Sequence, residues 1–418
     1  MRTESHPVPP HLRTARAAVS AVFFVHGAVF ASWAARVPAV KEELGLSAGV
    51  LGLVMAGPGL GALAGSQAGG LMVHRLGSRT VSALAPVALS VPLGLIPAAR
   101  SPWTLLALLV LLGAADGCTS VAMNAQAVRV QRQYGRTLLN SMHAIRSIGA
   151  VAGGLAGVAT VSLGLTLTAQ FVLMALLLAV ISAVAASGLL PEEQRKAEGG
   201  ELGDRAQENR GRGRGTGPGE RHVRVKGGPS RRAVVSLLAL MTFLAALVED
   251  APASWSGVYL RDLGADAATA AAGYAAFSAG EVVTRLLNDW LVDRLGWVRL
   301  IRTGTVCCAA VLAAALLLGR PGVALAALVV AGAGISAVFP ATFTAAGALA
   351  FPALAMGQVG FAGNLGWLLV PPVIGGLATV AGLPTALGVL VLAALIIAAL
   401  APVVRAGSPE RVPRHTDG

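Results

Sequence analysis

Six ionisable side chains fall inside long apolar stretches of this 418-residue chain: Asp116, Arg146, Glu249, Asp250, Glu281 and Arg285, joined by His26 and His143. A charge in hydrocarbon is costly, so such groups are retained where they line a cavity, pair with one another, or carry a proton or solute. At 1.5 Å per residue, Asp116 lies about 20 Å from the start of its stretch at Trp103, and Arg146 about 12 Å from the opposite start at Leu138. Both therefore fall near mid-depth, with His26 at a similar level. This predicts a buried Asp116–Arg146 ion pair in which Asp116 loads and releases a proton; the same pair would equally serve only to hold its half of the molecule together. Glu249 and Asp250 lie roughly 24 Å into their stretch, toward its outer end, a pattern suited to a proton or cation entry site. Glu281 and Arg285, at i and i+4, predict a structural salt bridge about one turn from the cytoplasmic end of theirs, steadying the nearby Asp289 loop.

Neutral polar groups extend the pattern. Asn140, His143 and Ser147 recur at i, i+3 and i+7 and so share one helical face, a strip fit to hydrogen-bond a solute or a neighbouring helix. Asn124 and Gln126 fall near the cytoplasmic end of their stretch, where gating contacts are expected, and Asn364 and Trp367 are further cavity candidates. No H-E-x-x-H pair and no G-x-x-x-x-G-K-S/T loop occurs, so zinc hydrolysis and ATP-driven pumping lack their motifs. Cys118, Cys307 and Cys308 all sit in apolar stretches and read as packing residues, not as a disulfide or metal framework. No cofactor, metal or enzymatic activity is expected.

The elements that must position these groups are membrane spans. Hydrophobic residues make up 55% of the chain and charged ones 12%, against about a quarter in soluble domains. Runs of the about 20 apolar residues that cross a bilayer core recur along the chain. Twelve are predicted: 17–35, 48–72, 80–99, 103–127, 138–160, 166–188, 233–255, 267–288, 303–319, 322–345, 356–379 and 384–404. With both termini in the cytoplasm, 25 Lys and Arg fall on the cytoplasmic side against 5 outside, and still 14 against 5 when segment 189–232 is removed. The net charge of +12 is thus a topology signal, and nucleic acid is not an expected partner. Segment 189–232, rich in Gly, Arg and Glu, has too few large apolar residues to fold and reads as a disordered cytoplasmic linker. It divides a six-helix unit at 17–188 from another at 233–404, flanked by cytoplasmic tails 1–16 and 405–418.

Two loops repeat at one offset. EELG at Glu42–Gly45 returns as RDLG at Arg261–Gly264, and GLMVHRLGSR at Gly70–Arg79 as DWLVDRLGWV at Asp289–Val298, both shifted by 219. The second loop resembles the major facilitator signature G-x-x-x-D-R/K-x-G-x-R/K: Gly70, Arg75, Gly77 and Arg79 match, with His74 in the acidic position. The later copy restores the acid, with Asp289, Asp293, Arg294 and Gly296, and moves its last basic residue to Arg299. NAQ at Asn124–Gln126, the segment His143–Gly149 and WSGVYLRD at Trp255–Asp262 are similar to the bacterial YbjJ-like branch, distantly related to fucose permeases.

The resemblance implies an all-α membrane protein whose twelve transmembrane helices form two pseudo-symmetric six-helix bundles, the third helix of each triplet lying outermost. Spans three, six, nine and twelve accordingly carry none of the ionisable groups named above. It also implies a loop carboxylate that latches the outward-facing state, a latch that His74 would make pH-sensitive. Stripes of glycine, Gly57, Gly61, Gly65 and Gly69 in span two and Gly149, Gly153 and Gly157 in span five, let backbones approach closely. They would serve the seam between rocking halves or ordinary helix packing. The stretch Gly149–Gly154 lacks the Gly-Pro usual in antiporters. The expected function is a secondary active transporter working by alternating access as a monomer in the bacterial cytoplasmic membrane, its partners lipid, a small solute and protons. Import of a sugar-like solute is favoured, with export of a drug or metabolite, or ligand sensing without flux, as the alternatives.

Overall fold

The computed structural model describes residues 8–135, 138–191, 231–349 and 351–407. Most of the predicted linker, 192–230, and the ends of both tails lie outside the described residues. Every regular element among the described residues is helical. Spans one to six are Pro10–Ala34, the broken pair Ala48–Val54 and Gly57–Leu76, then Ser78–Leu95, Pro102–Tyr134, Leu139–Ser162 and Leu167–Gly188. Spans seven to twelve are Arg231–Asp262, Ala267–Leu295, Trp297–Leu318, the broken pair Pro321–Ile335 and Val338–Gly347, then Pro352–Ala381 and Leu383–Leu400. The break in span two falls at Met55 and Ala56, just before Gly57-Pro58, where the fixed φ and missing N–H of proline suit the first turn of a new helix.

Eleven of these segments are long and apolar enough to cross a membrane. Ala267–Leu295 is the twelfth, and at 29 residues it is long enough; its alanine-rich body and its Glu281–Arg285 pair lower its apolarity. That polarity is sheltered, since Glu281 is buried. Spans four, seven and eight run one to two turns beyond the predicted 103–127, 233–255 and 267–288. Hydropathy marks where lipid ends, whereas the helix continues into polar residues that still bond i to i−4.

The two halves repeat each other residue by residue. Gly77 and Gly296 each stand alone between two helices with φ of 85° and 73°, a conformation that a side chain would oppose. Ser47 Oγ accepts from the Val50 N–H, and Asp266 Oδ1 accepts from the Thr269 N–H, so equivalent helices are capped in the same way. Gly61 in span two lies against the carbonyl of Val110 in span four, and Gly280 in span eight against that of Val329 in span ten. Gly113 meets Pro58 as Gly332 meets Phe277. All of these pairs obey the same shift of 219 as the loops.

These contacts also locate the glycine stripes. Gly57, Gly61, Gly65 and Gly69 pack on span four within the first half, Gly149 and Gly153 on Phe24 and Ala28 of span one, and Gly157 on Ala35. Neither stripe forms the seam. The halves meet instead where Gly52 and Gly59 of span two touch Pro371, Gly375 and Leu368 of span eleven, and where Gly154 of span five touches Ala275 of span eight.

Residues at the start of span one, the end of span four, the start of span five and the end of span six share one apolar cluster, which defines the terminal end of the bundle. At the opposite, far end the seam is closed by an ion pair between Glu42 and Arg261, 3.0 Å apart. At the terminal end it parts. Leu368, Pro371 and Gly375 press on span two, but Asn364, on the same face of span eleven nearer the terminal end, is exposed. Around the outside, span six presents Val172, Leu173, Leu176, Leu177, Val180 and Val184 to the surroundings, a surface that lipid covers.

Candidate functional site: the charged centre between the halves

The ionisable groups predicted from depth converge at the centre, but with different partners. In the first half His26 Nε2 lies 2.9 Å from Asp116 Oδ1. Neither atom meets hydrogen-bond geometry, so the contact is a close approach and not a directed bond. This replaces the predicted Asp116–Arg146 pair: among the described residues no carboxylate lies within salt-bridge distance of Arg146. The reason is packing. Gly27 of span one seats on the Arg146 carbonyl and Gly149 of span five on Phe24, so span one lies tight against span five and its His26 meets Asp116.

Along span five, His143 stands edge-on to Phe23 with ring centroids 5.1 Å apart. The side chain of Asn140, the first member of the predicted strip, lies outside what is described. Ser147 Oγ accepts a 2.7 Å hydrogen bond from Arg285 Nη1, a link from the first half to the second. Arg146 is half-buried and interacts through space with His143, Glu249 and Tyr274.

In the second half Arg285 Nη2 donates to Glu281 Oε1 at 2.8 Å and lies 3.9 Å from Glu249 Oε1. The expected i, i+4 salt bridge between Glu281 and Arg285 forms, but its placement near the helix end, steadying the Asp289 loop, is corrected. Because span eight continues to Leu295, Arg285 sits about 15 Å above its end and reaches across the seam. Glu249 and Asp250 likewise move from the expected outer end to the middle, since span seven extends to Asp262 and leaves Glu249 about 20 Å short of it. Asp250 accepts from Ser254 Oγ at 2.9 Å, while Glu249 Oε1 is buried without a hydrogen-bond partner.

The remaining candidates fall away from this centre. Trp367 stacks on Phe339 at 5.6 Å, which stacks on Phe343 at 6.5 Å, giving an aromatic wall on the second half with Asn364 nearby on span eleven. Gln126, expected near a gate, is buried within the first half and donates to Ser78 Oγ and the Leu190 carbonyl. Asn124 bonds its own helix at the Ser120 carbonyl. In the repeated loop His74, Arg75, Arg79, Asp289, Asp293 and Arg294 are exposed, and Arg294 lies over the Trp290 ring at 4.6 Å. Nothing lies within 4 Å of a side chain placed at Gly70. Sequence reasoning missed the Glu42–Arg261 contact, although its signal was present: opposite charges at two positions that the repeat makes equivalent.

The family model described as the Major Facilitator Superfamily matches residues 18–353 and also 238–417. An uncharacterised MFS-type transporter of Yersinia pestis is 30% identical over 388 residues, covering 91% of this chain and 94% of its own length. The membrane protein MosC of Rhizobium meliloti is 27% identical over 400 residues, covering 94% of this chain and 91% of its own. In fold the chain is similar to a D-xylose-proton symporter, with a TM-score of 0.73 at 13% identity over 96% of this chain and 98% of that one. It is similar also to the nucleoside transporter NupG, with a TM-score of 0.68 at 13% identity over 93% of this chain and 98% of that one. Matched in sequence over nearly its whole length and built as two six-helix repeats around a charged centre, the chain belongs to the major facilitator superfamily and is a secondary transporter.

Proposed function

We propose that this transporter couples the inward movement of a small polar, sugar-like solute to protons, working as a monomer in the bacterial cytoplasmic membrane with its terminal end in the cytoplasm. The observation that carries the reading is a pair of mid-depth carboxylates, one on each half, each close to a basic side chain on another span: Asp116 beside His26, and Glu249 beside Arg285. Arg285 also holds Ser147 across the seam, so rocking of the halves would break that bond and change the field at Glu249. Carboxylates sheltered from lipid can take up and release protons as their neighbours move, which is how a gradient is tied to a conformational cycle. The orientation rests on the Lys and Arg bias, and it makes the open end the cytoplasmic one. The superfamily fold fits this reading, and a symporter that pairs a sugar with protons shares it.

Proteoliposomes with an imposed proton gradient and a panel of labelled monosaccharides test the proposal. Uptake should collapse when a protonophore is added, and Asp116→Asn should lose gradient-driven accumulation while retaining exchange of solute for solute. Uptake indifferent to the protonophore, or full accumulation by Asp116→Asn, would remove proton coupling. Vesicles loaded with solute and given the opposite gradient separate import from export.

A further inference from the structure

Arg146 differs from every other charged group at the centre. Arg285 is engaged by Glu281, Glu249 and Ser147, Asp116 by His26, and Asp250 by Ser254. Among the described residues no acceptor meets the Arg146 guanidinium, which lies half-buried on span five. A guanidinium at membrane depth is costly without an anion, and its planar fork of donors matches a carboxylate in both spacing and charge. The titratable groups that interact with it are His143 of span five, Glu249 of span seven and Tyr274 of span eight, and around Glu249 itself stand Glu281 and Arg285 of span eight as well as Arg146. Of the acids, Glu249 interacts with Arg146 through space while its Oε1 keeps no hydrogen bond.

We propose that Arg146 is the docking cation for the carboxylate of an acidic solute of the sugar-acid kind, and that proton uptake by Glu249 opens this site. While Glu249 is ionised it stands 3.9 Å from Arg285, and its charge also offsets that of the more distant Arg146 and repels a second anion. Once Glu249 is protonated, Arg146 has no counter-charge of its own and recruits one from the solute. Solute and proton thus favour each other's binding by linkage, and the loaded centre carries no extra charge across the membrane. The only covalent change at this site is the transfer of one proton from solution to the Glu249 carboxylate and back. This narrows the sugar-like solute of the carrier reading, on which its role in transport rests, but the site itself is tested by binding alone.

The purified full chain is heated in detergent with gluconate or galacturonate, each beside its neutral counterpart, sorbitol or galactose, at fixed ionic strength. At least one acid should stabilise the protein while its neutral counterpart does not, and the effect should grow from mildly alkaline to mildly acidic buffer. Arg146→Gln should weaken acid binding by about 10- to 100-fold, the scale of a hydrogen bond to a charged group. Arg146→Lys, which keeps the charge but loses the fork, should fall between. Glu249→Gln should bind acids equally at both buffers. Neutral sugars that match their acids, no stabilisation by either acid, or an Arg146→Gln protein that binds as before would each overturn the inference. Flux is read separately. Proton-driven uptake of a neutral sugar with no competition from acids leaves the carrier reading and removes this one, whereas acid binding without flux does the reverse.

Discussion

At the scale of residues, the centre is governed by which groups stay paired when one is removed. Arg285 is held by a close carboxylate and by one neutral hydroxyl, and these should differ in worth. Glu281→Gln leaves a largely buried guanidinium without its near counter-charge, a change that costs about 3–5 kcal/mol. Ser147→Ala removes one hydrogen bond to a charged donor, at a cost of about 1.5–3 kcal/mol. Thermal unfolding in detergent should therefore rank Glu281→Gln below Ser147→Ala, and the reverse order would mean that Glu249 takes over the pairing. The depth of Asp116 and Arg146 was legible in the sequence because it needs only a count along one helix, whereas Glu249, Asp250 and Arg285 were placed too near an end because spans seven and eight run past their apolar stretches. Partners on other helices were not legible, because pairing depends on how neighbouring helices are rotated and packed. Span one, which carries a histidine at the right level, meets Asp116 in place of Arg146 for that reason alone.

At the scale of elements, close approach of backbones separates glycines that hold the bundle from glycines that do not. A methyl group at Gly61 or Gly280 would collide with the carbonyl of Val110 or Val329, so alanine at either position should force the helices apart at a cost of about 1–3 kcal/mol. Gly70, in the same helix as Gly61, meets nothing, so Gly70→Ala should be neutral or raise stability by up to about 1 kcal/mol. Melting temperatures of the three variants check this: a loss at Gly70 equal to the other two would deny that backbone contact sets the cost, and unequal losses at Gly61 and Gly280 would deny the 219-residue equivalence of the two contacts. The helix caps give a second contrast. The Thr269 N–H holds the Asp266 carboxyl below its usual range. Its contribution is therefore present above the unfolded value and lost as pH falls through the lowered one, so acid should loosen the start of span eight in wild type. Asp266→Ser, which copies Ser47, should keep the cap and lose that sensitivity, as read by the pH dependence of unfolding. Span number was legible because apolar length is a one-dimensional quantity. Helix ends were not, because the polar continuations of spans four, seven and eight carry no hydropathy signal.

At the scale of the molecule, the twofold relation that two short loop matches announced is realised in turns, caps and helix crossings, so the fold was largely readable. The direction in which the seam opens was not, since it depends on contacts between halves that no local pattern encodes. One such contact yields a test. Glu42 and Arg261 are equivalent positions of the repeat and pair with each other, so the pseudo-twofold axis runs between them at the closed end. Both are partly exposed, and a pair of this kind is worth at most about 1 kcal/mol, or about a fivefold shift between open and closed forms. Glu42→Arg sets two cations face to face and should drive the far end apart, closing the terminal end in compensation. Adding Arg261→Glu exchanges the charges across the axis and should restore closure, less whatever the lost bond from Arg261 to the Ala265 carbonyl contributes. The alkylation rate of Asn364→Cys, in a chain with Cys118, Cys307 and Cys308 replaced by serine, reports access from the terminal end. That rate should fall with the single reversal, recover with the double, and respond less at high salt. A rate indifferent to both would mean that the glycine contacts of spans two and eleven, and not the ion pair, keep the far end shut.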